Sequence, residues 1–109
     1  MPAVTRRIER LELAIRSQPE VSLSLSDAAY ILGYERTYCG KIFRSRTGKS
    51  FSQWNRDIRI AVAKDMLQGT DLPITAIGAA VGYTDITTFE RNFRKSEGLC
   101  PSQFRRNTN

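Results

Sequence analysis

Two seven-residue runs in this chain are written to one plan, and the same punctuation follows each. Ala28-Ala29-Tyr30-Ile31-Leu32-Gly33-Tyr34 leads into a basic stretch that holds Phe43 and ends at Thr47-Gly48. Ile77-Gly78-Ala79-Ala80-Val81-Gly82-Tyr83 leads into a second stretch that holds Phe93 and ends at Glu97-Gly98. Each copy reads as a short helix, a Gly turn and a longer amphipathic helix, the pattern of a helix-turn-helix. Two such units in a chain of 109 residues leave room for little else. The fold expected is all-α: two helix-turn-helix subdomains, 1–50 and 69–109, joined by a connecting helix within 51–68.

With Gly33 set over Gly82, Leu32 lies over Val81, Ala28 over Ile77 and Ala29 over Gly78. The small residues at 29 and 78 let the two helices of each unit cross closely. Gly at 33 and 82 supplies a turn conformation that a Cβ disfavours. The second copy has one more residue between its Gly and its Phe, so its turn or the start of its helix is longer. The bland alternative is a pair of helical hairpins that merely pack together, and the helix faces argue against it. After Gly33, helical spacing turns Cys39, Ile42 and Phe43 inward and leaves Thr37, Gly40, Lys41 and Arg44 outside. After Gly82 it turns Phe89 and Phe93 inward and leaves Thr87, Arg91, Arg94 and Lys95 outside. Ile86 begins that helix, either exposed to meet a thymine methyl or tucked beside the core.

The apolar spacing is helical almost throughout, giving seven helices. Ile8, Leu11, Ala14 and Ile15 form the stripe of the first. Ser24 with Asp27, and Ser50 with Gln53, read as capping boxes. Gly33 stops the second helix, and the third covers 36–47. The connecting helix, 51–67, shows one apolar side made of Phe51, Trp54, Ile58, Ala61, Val62, Met66 and Leu67, and Gly69 ends it. Pro73 suits the first turn of a short helix reaching Val81. Thr84 or Asp85 caps the next, and Pro101 starts a last one with Phe104, beyond which 105–109 are expected to fray.

Charge points to the class of partner. Lys and Arg number 17 against 11 Asp and Glu, a net charge of +6. That balance suits a polyanion, because Lys and Arg release condensed counterions from phosphates. Lys41, Arg44, Arg46 and Lys49 follow one another without an acidic break in the first repeat. The chain has no His, which removes the commonest general base and metal ligand. Cys39 and Cys100 are too few for a thiolate zinc site and read as small buried thiols. No metal, cofactor or enzymatic activity is expected. No run approaches a membrane span and no signal-peptide pattern precedes the first helix, which points to the cytoplasm.

These residues resemble the DNA-binding domain of AraC/XylS-type bacterial transcription regulators. The similarity is most specific in Gly69-Thr70-Asp71-Leu72-Pro73-Ile74-Thr75-Ala76-Ile77-Gly78 with Val81-Gly82-Tyr83. It continues in Phe89-Glu90-Arg91-Asn92-Phe93-Arg94-Lys95 and in Gly98-Leu99-Cys100-Pro101-Ser102-Gln103-Phe104-Arg105. Leu25, Ala29, Leu32-Gly33, Tyr38, Phe43, Thr47-Gly48 and Phe51 carry it in the first half, so it spans about residues 5–106. The resemblance implies a monomeric domain that places two recognition helices in successive major-groove segments of one duplex. It implies base reading by Thr37, Gly40 and Lys41 in the first unit and by Ile86, Thr87 and Arg91 in the second. Phosphates would be held by Tyr38, Arg44, Arg94, Lys95 and the helix N-termini. It further implies transcription regulation, chiefly promoter activation, with RNA polymerase as a second partner.

Departures from the family pattern are expected to matter locally. Gly40 stands where a side chain usually faces the groove, so that helix reads fewer bases or approaches the DNA more closely. Glu90 either accepts from a cytosine amine or orients Arg91. Glu97 replaces a frequent aromatic, and Cys100 replaces the usual Ser cap. Most members carry a sensor or dimerisation domain on the N-terminal side, which makes an excised C-terminal domain the favoured reading over a single-domain regulator. Two other classes compete: a protein-interaction module with a solvated basic face, and a fragment of a DNA-repair methyl acceptor. The second requires a reactive Cys39 or Cys100, and both sit at apolar, helix-packed positions in the sequence pattern.

Overall fold

The computed structural model describes residues 2–108. Its helices in chain order are α1 (Pro2–Ser17), α2 (Leu25–Leu32), α3 (Arg36–Thr47), α4 (Phe51–Gly69), α5 (Ile74–Ala80), α6 (Ile86–Glu97) and α7 (Pro101–Thr108), with no strand among the described residues. The expected count of seven and the all-α class hold.

Helix ends follow local chemistry. The Ser24 hydroxyl accepts from the Asp27 amide while the Asp27 carboxylate accepts from the Ser24 amide, a complete capping box. At α4 the box is half made. Ser50 Oγ accepts from the Gln53 amide at 3.2 Å, but the Gln53 side chain turns away to donate to Asp57 at 2.7 Å. Gly69 ends α4, but not as a left-handed cap. It is the last helical residue and lacks the positive φ of Gly33, Gly48, Gly82 and Gly98. The helix stops at Thr70, which goes extended (φ −138°), its hydroxyl donating to the Met66 carbonyl at 2.7 Å.

Two hydrophobic cores form. The first gathers Ile8, Leu11 and Ile15 of α1, Ala28, Ala29 and Leu32 of α2, Cys39, Ile42 and Phe43 of α3, and Phe51, Trp54 and Ile58 of α4. The second gathers Ile60, Ala63 and Leu67 of α4 with Ile77, Val81, Phe89 and Phe93. The single apolar side expected for α4 is therefore wrong. Positions 51, 54 and 58 and positions 60, 63 and 67 lie roughly 180° apart at ~100° per residue. Its N-terminal half faces one core and its C-terminal half, on the opposite side, faces the other. Ala61, Val62 and Met66 are only half-buried, whereas Ile60 and Ala63, absent from the expected stripe, are buried.

This double use of α4 enlarges the repeat from two helices to four. Ile60, Ala63 and Leu67 stand to α5 and α6 as Ile8, Leu11 and Ile15 stand to α2 and α3, with the same spacing of three and then four. Pro101 and Phe104 at the start of α7 occupy the places of Phe51 and Trp54 at the start of α4. The packed pairs largely agree: α1·α2, α1·α4, α2·α3 and α3·α4 in one unit, α4·α5, α4·α7, α5·α6 and α6·α7 in the other, with α4 also packing on α6, a pairing that α1 and α3 do not match.

Three further expectations change. Ala14 is exposed rather than part of the α1 stripe. The C-terminal segment does not fray: α7 is helical through Thr108. Arg105 pins it by donating to the carbonyls of Leu67 (3.1 Å), Leu72 (2.7 Å) and Thr70 (3.2 Å). Asn109 lies outside the described residues. Cys39 is buried as expected, but Cys100 is half-buried at the start of α7, its amide donating to Gln103 Oε1 at 3.2 Å.

Candidate nucleic-acid interface

The two outward helices are equivalent residue for residue. α3 and α6 each hold 12 residues, and a shift of fifty positions sets Thr37 on Thr87, Lys41 on Arg91, Phe43 on Phe93, Arg44 on Arg94 and Gly48 on Gly98. The extra residue of the second copy falls in its turn. Glu35, which caps α3, is two residues beyond Gly33, and Asp85, which caps α6, is three beyond Gly82. Both glycines have the left-handed backbone expected of them, φ 78° and 95°. Gly78 permits the close crossing: a Cβ there would sit 3.0 Å from the Phe89 ring.

Carboxylates occupy both helix starts. Glu35 accepts from the amides of Thr37 (2.8 Å) and Tyr38 (3.1 Å), and Asp85 accepts from the Thr87 amide (3.1 Å) and the Thr88 hydroxyl (2.9 Å). Those bonds hold both carboxyls below their ordinary range. For Glu35 the Thr37 amide is the main cause and Lys41 adds to it; for Asp85 the Thr88 hydroxyl leads and Arg91 adds. The Thr37 and Tyr38 amides of α3 and the Thr87 amide of α6 are thus held by their own capping carboxylates.

Thr37, Lys41 and Arg44 on α3 and Thr87, Arg91, Arg94 and Lys95 on α6 are all exposed. Tyr38 is 51% exposed and meets Tyr34 edge-on, with ring centroids 5.4 Å apart. Gly40 is half-buried, and a Cβ there would lie 3.5 Å from Leu25, an ordinary contact. Ile86 is half-buried and packs against the second core beside Gly78, so its larger part is structural. Glu90 is exposed. Among the described residues the ion pairs are Glu12–Arg16, Lys49–Asp57 and Lys64–Glu97, and none uses a cation of α3 or α6. Lys49, grouped above with the α3 cations, lies past the helix end and neutralises Asp57 instead.

Sequence reasoning missed two contributors. Arg36 opens α3 and, with Lys41 and Arg44, lines a groove of about 380 Å³ whose other wall is Phe51 and Ser52 of α4 with its capping residue Ser50. A basic residue directly after a capping carboxylate was the available signal. Arg59 of α4 is buried, and burial pushes its guanidinium pKa down, partly offset by Tyr83 and Glu20. No sequence signal marks it, because a buried Arg interrupts no apolar period. The thiols differ: burial pushes Cys39 up, whereas the Ser102 hydroxyl and then the Gln103 amide hold Cys100 down. Among the described residues no cluster of three His, Cys, Asp or Glu could hold a metal, and no helix is long and apolar enough to cross a membrane.

Two exposed cationic helices, set in one register on two cores that share a helix, define a bipartite helix-turn-helix protein. A family described as a helix-turn-helix domain matches residues 28–107. The chain is 31% identical over 99 residues to the Msm operon regulatory protein of Streptococcus mutans, covering 91% of this chain and 36% of that protein. It is 42% identical over 64 residues to the arabinose operon regulatory protein of Escherichia coli K12, covering 59% of this chain and 22% of that protein. The crystal structure of a transcriptional regulator with an AraC-type DNA-binding domain from Chromobacterium violaceum superimposes with a TM-score of 0.85 at 25% identity, covering 98% of this chain and 92% of that one. The chain belongs to the helix-turn-helix domain family of AraC-type transcription regulators. It spans little more than a third of the length of one of these two curated relatives and less than a quarter of the other.

Proposed function

We propose that the domain binds double-stranded DNA as a monomeric, two-headed reader, with α3 and α6 lying in successive major-groove segments. The carrying observation is the matched register of α3 and α6, which presents Lys41 and Arg91, and again Arg44 and Arg94, at equivalent positions free of the ion pairs above. Thr37, Lys41, Thr87 and Arg91 read base edges, with Gly40 allowing close approach and the exposed part of Ile86 meeting a thymine methyl. Tyr38, Arg44, Arg94 and Lys95 hold phosphates, joined by Arg36 and the start of α4. Residues 1–50 and 69–109 act as two subdomains about the helix at 51–68.

The helix between them sets the geometry. At ~1.5 Å per residue the 19 residues of α4 span about 28 Å, longer than the 17 residues expected but still short of the ~34 Å between successive major-groove faces of straight DNA. The DNA therefore bends towards the protein, at a cost of order 1–6 kcal/mol that the second helix's contacts offset. A circular-permutation gel on a duplex selected from a random library tests this. Position-dependent mobility with protection of two adjacent major-groove segments is expected; protection of both with no mobility change refutes the bend. Uniform, salt-labile binding to every duplex refutes sequence reading.

In the cell this reading makes the chain the DNA-binding portion of a cytoplasmic, non-enzymatic regulator. It acts chiefly as a promoter activator with RNA polymerase as partner, and the domain itself binds as a monomer. The support is the family.

A further inference from the structure

Among the described residues Arg59 is the one buried charged side chain, 6% exposed, and the acceptors it meets are all neutral. Its Nε donates to Asn55 Oδ1 at 3.2 Å, its Nη2 to the Val21 carbonyl at 2.5 Å, and its Nη1 to the carbonyls of Pro19 and, at 3.4 Å, Val81. Those acceptors come from different halves of the molecule. Pro19 and Val21 lie in the loop between α1 and α2, in the first unit, and Val81 closes α5, in the second. Arg59 leaves α4 between Ile58, the last residue it gives to the first core, and Ile60, the first it gives to the second.

Gly82 completes the junction. A Cβ at this position would sit 2.9 Å from Arg59 Nη1 and 2.9 Å from the Pro19 carbonyl oxygen. The turn of the second helix-turn-helix and the α1–α2 loop of the first thus converge on one planar guanidinium. None of the substantial helix pairings joins α1–α3 directly to α5–α7, so α4 and this junction are the principal connections between the two units. A guanidinium presents its donors in a rigid fork, which suits it to fixing the directions of several carbonyls at once.

We infer that Arg59 is a positioning residue that fixes the separation and angle of α3 and α6, so that the domain discriminates the spacing of two half-sites as well as their sequences. The inference rests on the tandem reading proposed above. Rigidly linked heads gain effective concentration only when the span matches, whereas loosely linked heads tolerate a range of spans at lower affinity.

The test begins without DNA. Spin labels go on Ser45→Cys of α3 and Ser96→Cys of α6, both exposed positions, in a Cys100→Ser background with the buried Cys39 retained. The distance between them is measured by pulsed electron resonance. A single narrow distance is expected in the chain with Arg59, and a broad distribution there overturns the inference without any variant. Arg59→Met keeps the buried stem and removes the fork; it should broaden the distribution, and Arg59→Lys, with charge but no fork, should not restore it. On the selected duplex, one or two base pairs inserted between the half-sites should weaken the unmodified chain about tenfold or more, and Arg59→Met only about threefold. A folded Arg59→Met with a narrow distance and unchanged spacer discrimination overturns the inference. Should Arg59→Met not fold, Gly82→Ala wedges the same junction with Arg59 intact, and a narrow, unshifted distance in that variant overturns it equally. Failure of the tandem reading is separately visible: no duplex is bound at two segments, while the distance measurement still decides the junction.

Discussion

In the first helix-turn-helix, α3 opens on Arg36 and carries Gly40 at its centre; in the second, α6 opens on Ile86 and carries Glu90. Arg36 is exposed and lines a groove with Lys41 and Arg44, whereas Ile86 is half-buried against its own core. The cores behind them are alike. Phe43 meets Phe51 and Trp54 at ring-centroid distances of 5.1 and 4.9 Å, and Phe93 meets Phe89 and Phe104 at 6.0 and 5.4 Å. The same scaffold therefore carries two surfaces. The first is the more cationic and has a bare centre, so on the reading proposed above phosphate contacts weigh more in it, beside base reading by Thr37 and Lys41. The second presents Thr87, Glu90 and Arg91 together, suited to telling bases apart.

The sharpest way to break this comparison is to ask whether the cores are two or one. Phe43→Ala and Phe93→Ala should each cost about 3–5 kcal/mol, because each empties a fully buried aromatic site. Sharing of α4 predicts that both variants still unfold in a single transition. Trp54 fluorescence reports the first core and far-ultraviolet circular dichroism the whole chain. If Phe93→Ala shifts the dichroism and leaves the Trp54 transition in place, the units are independent and α4 is only a tether.

Next in size is the division of labour on DNA. Arg91→Ala should cost about 1–3 kcal/mol on the selected site and relax preference at one base, a guanine. Arg44→Ala should weaken every duplex alike and lower the salt slope by about one. Equilibrium binding at several salt concentrations to matched and mutated duplexes separates them. Uniform loss with Arg91→Ala, or altered base preference with Arg44→Ala, reverses the roles given to the two surfaces.

Much of this was legible in the sequence, for identifiable reasons. Capping residues and positive-φ glycines act locally, so Ser24, Gly33, Gly48 and Gly98 marked helix ends that the structure retains. Inward Phe43, Phe89 and Phe93 followed from period alone. What escaped was tertiary. A helix serving two cores from opposite sides shows a smeared stripe, so Ile60 and Ala63 were passed over, although their spacing with Leu67 repeats that of Ile8, Leu11 and Ile15. Arg105 looked like part of a frayed tail because its carbonyl partners lie more than thirty residues away. α4 does stop at Gly69, but through the extended Thr70, because composition does not show which glycines take positive φ.

A smaller effect tests the bare centre of α3. Gly40→Ala should stabilise the fold by about 0.5–1 kcal/mol, since Gly loses more backbone freedom on folding than Ala. The added methyl makes only an ordinary 3.5 Å contact with Leu25. Thermal unfolding measures the gain. If affinity for the selected site falls while stability rises, Gly40 serves close approach to the groove; if both rise, it is an empty position on the reading face.

The smallest expected effect lies at the caps, and its pH dependence separates the two units. The Glu35 carboxyl sits below its ordinary 4.5 chiefly because the Thr37 amide donates to it, and Asp85 sits below its ordinary 3.8 chiefly because the Thr88 hydroxyl does. A carboxyl lowered by folding stabilises the fold above its ordinary value, and that contribution is lost as pH falls through the lowered one. Glu35→Gln and Asp85→Asn should therefore each lower the melting temperature at pH 7, with the deficit shrinking below about pH 4 as the wild-type caps protonate. Glu35 holds two backbone amides of its helix start, whereas Asp85 holds one amide and a hydroxyl that can turn to water. Glu35→Gln should accordingly show the larger deficit at pH 7. Equal deficits that persist to pH 2 would mean that the substitutions act through shape and not through the charge at the helix start.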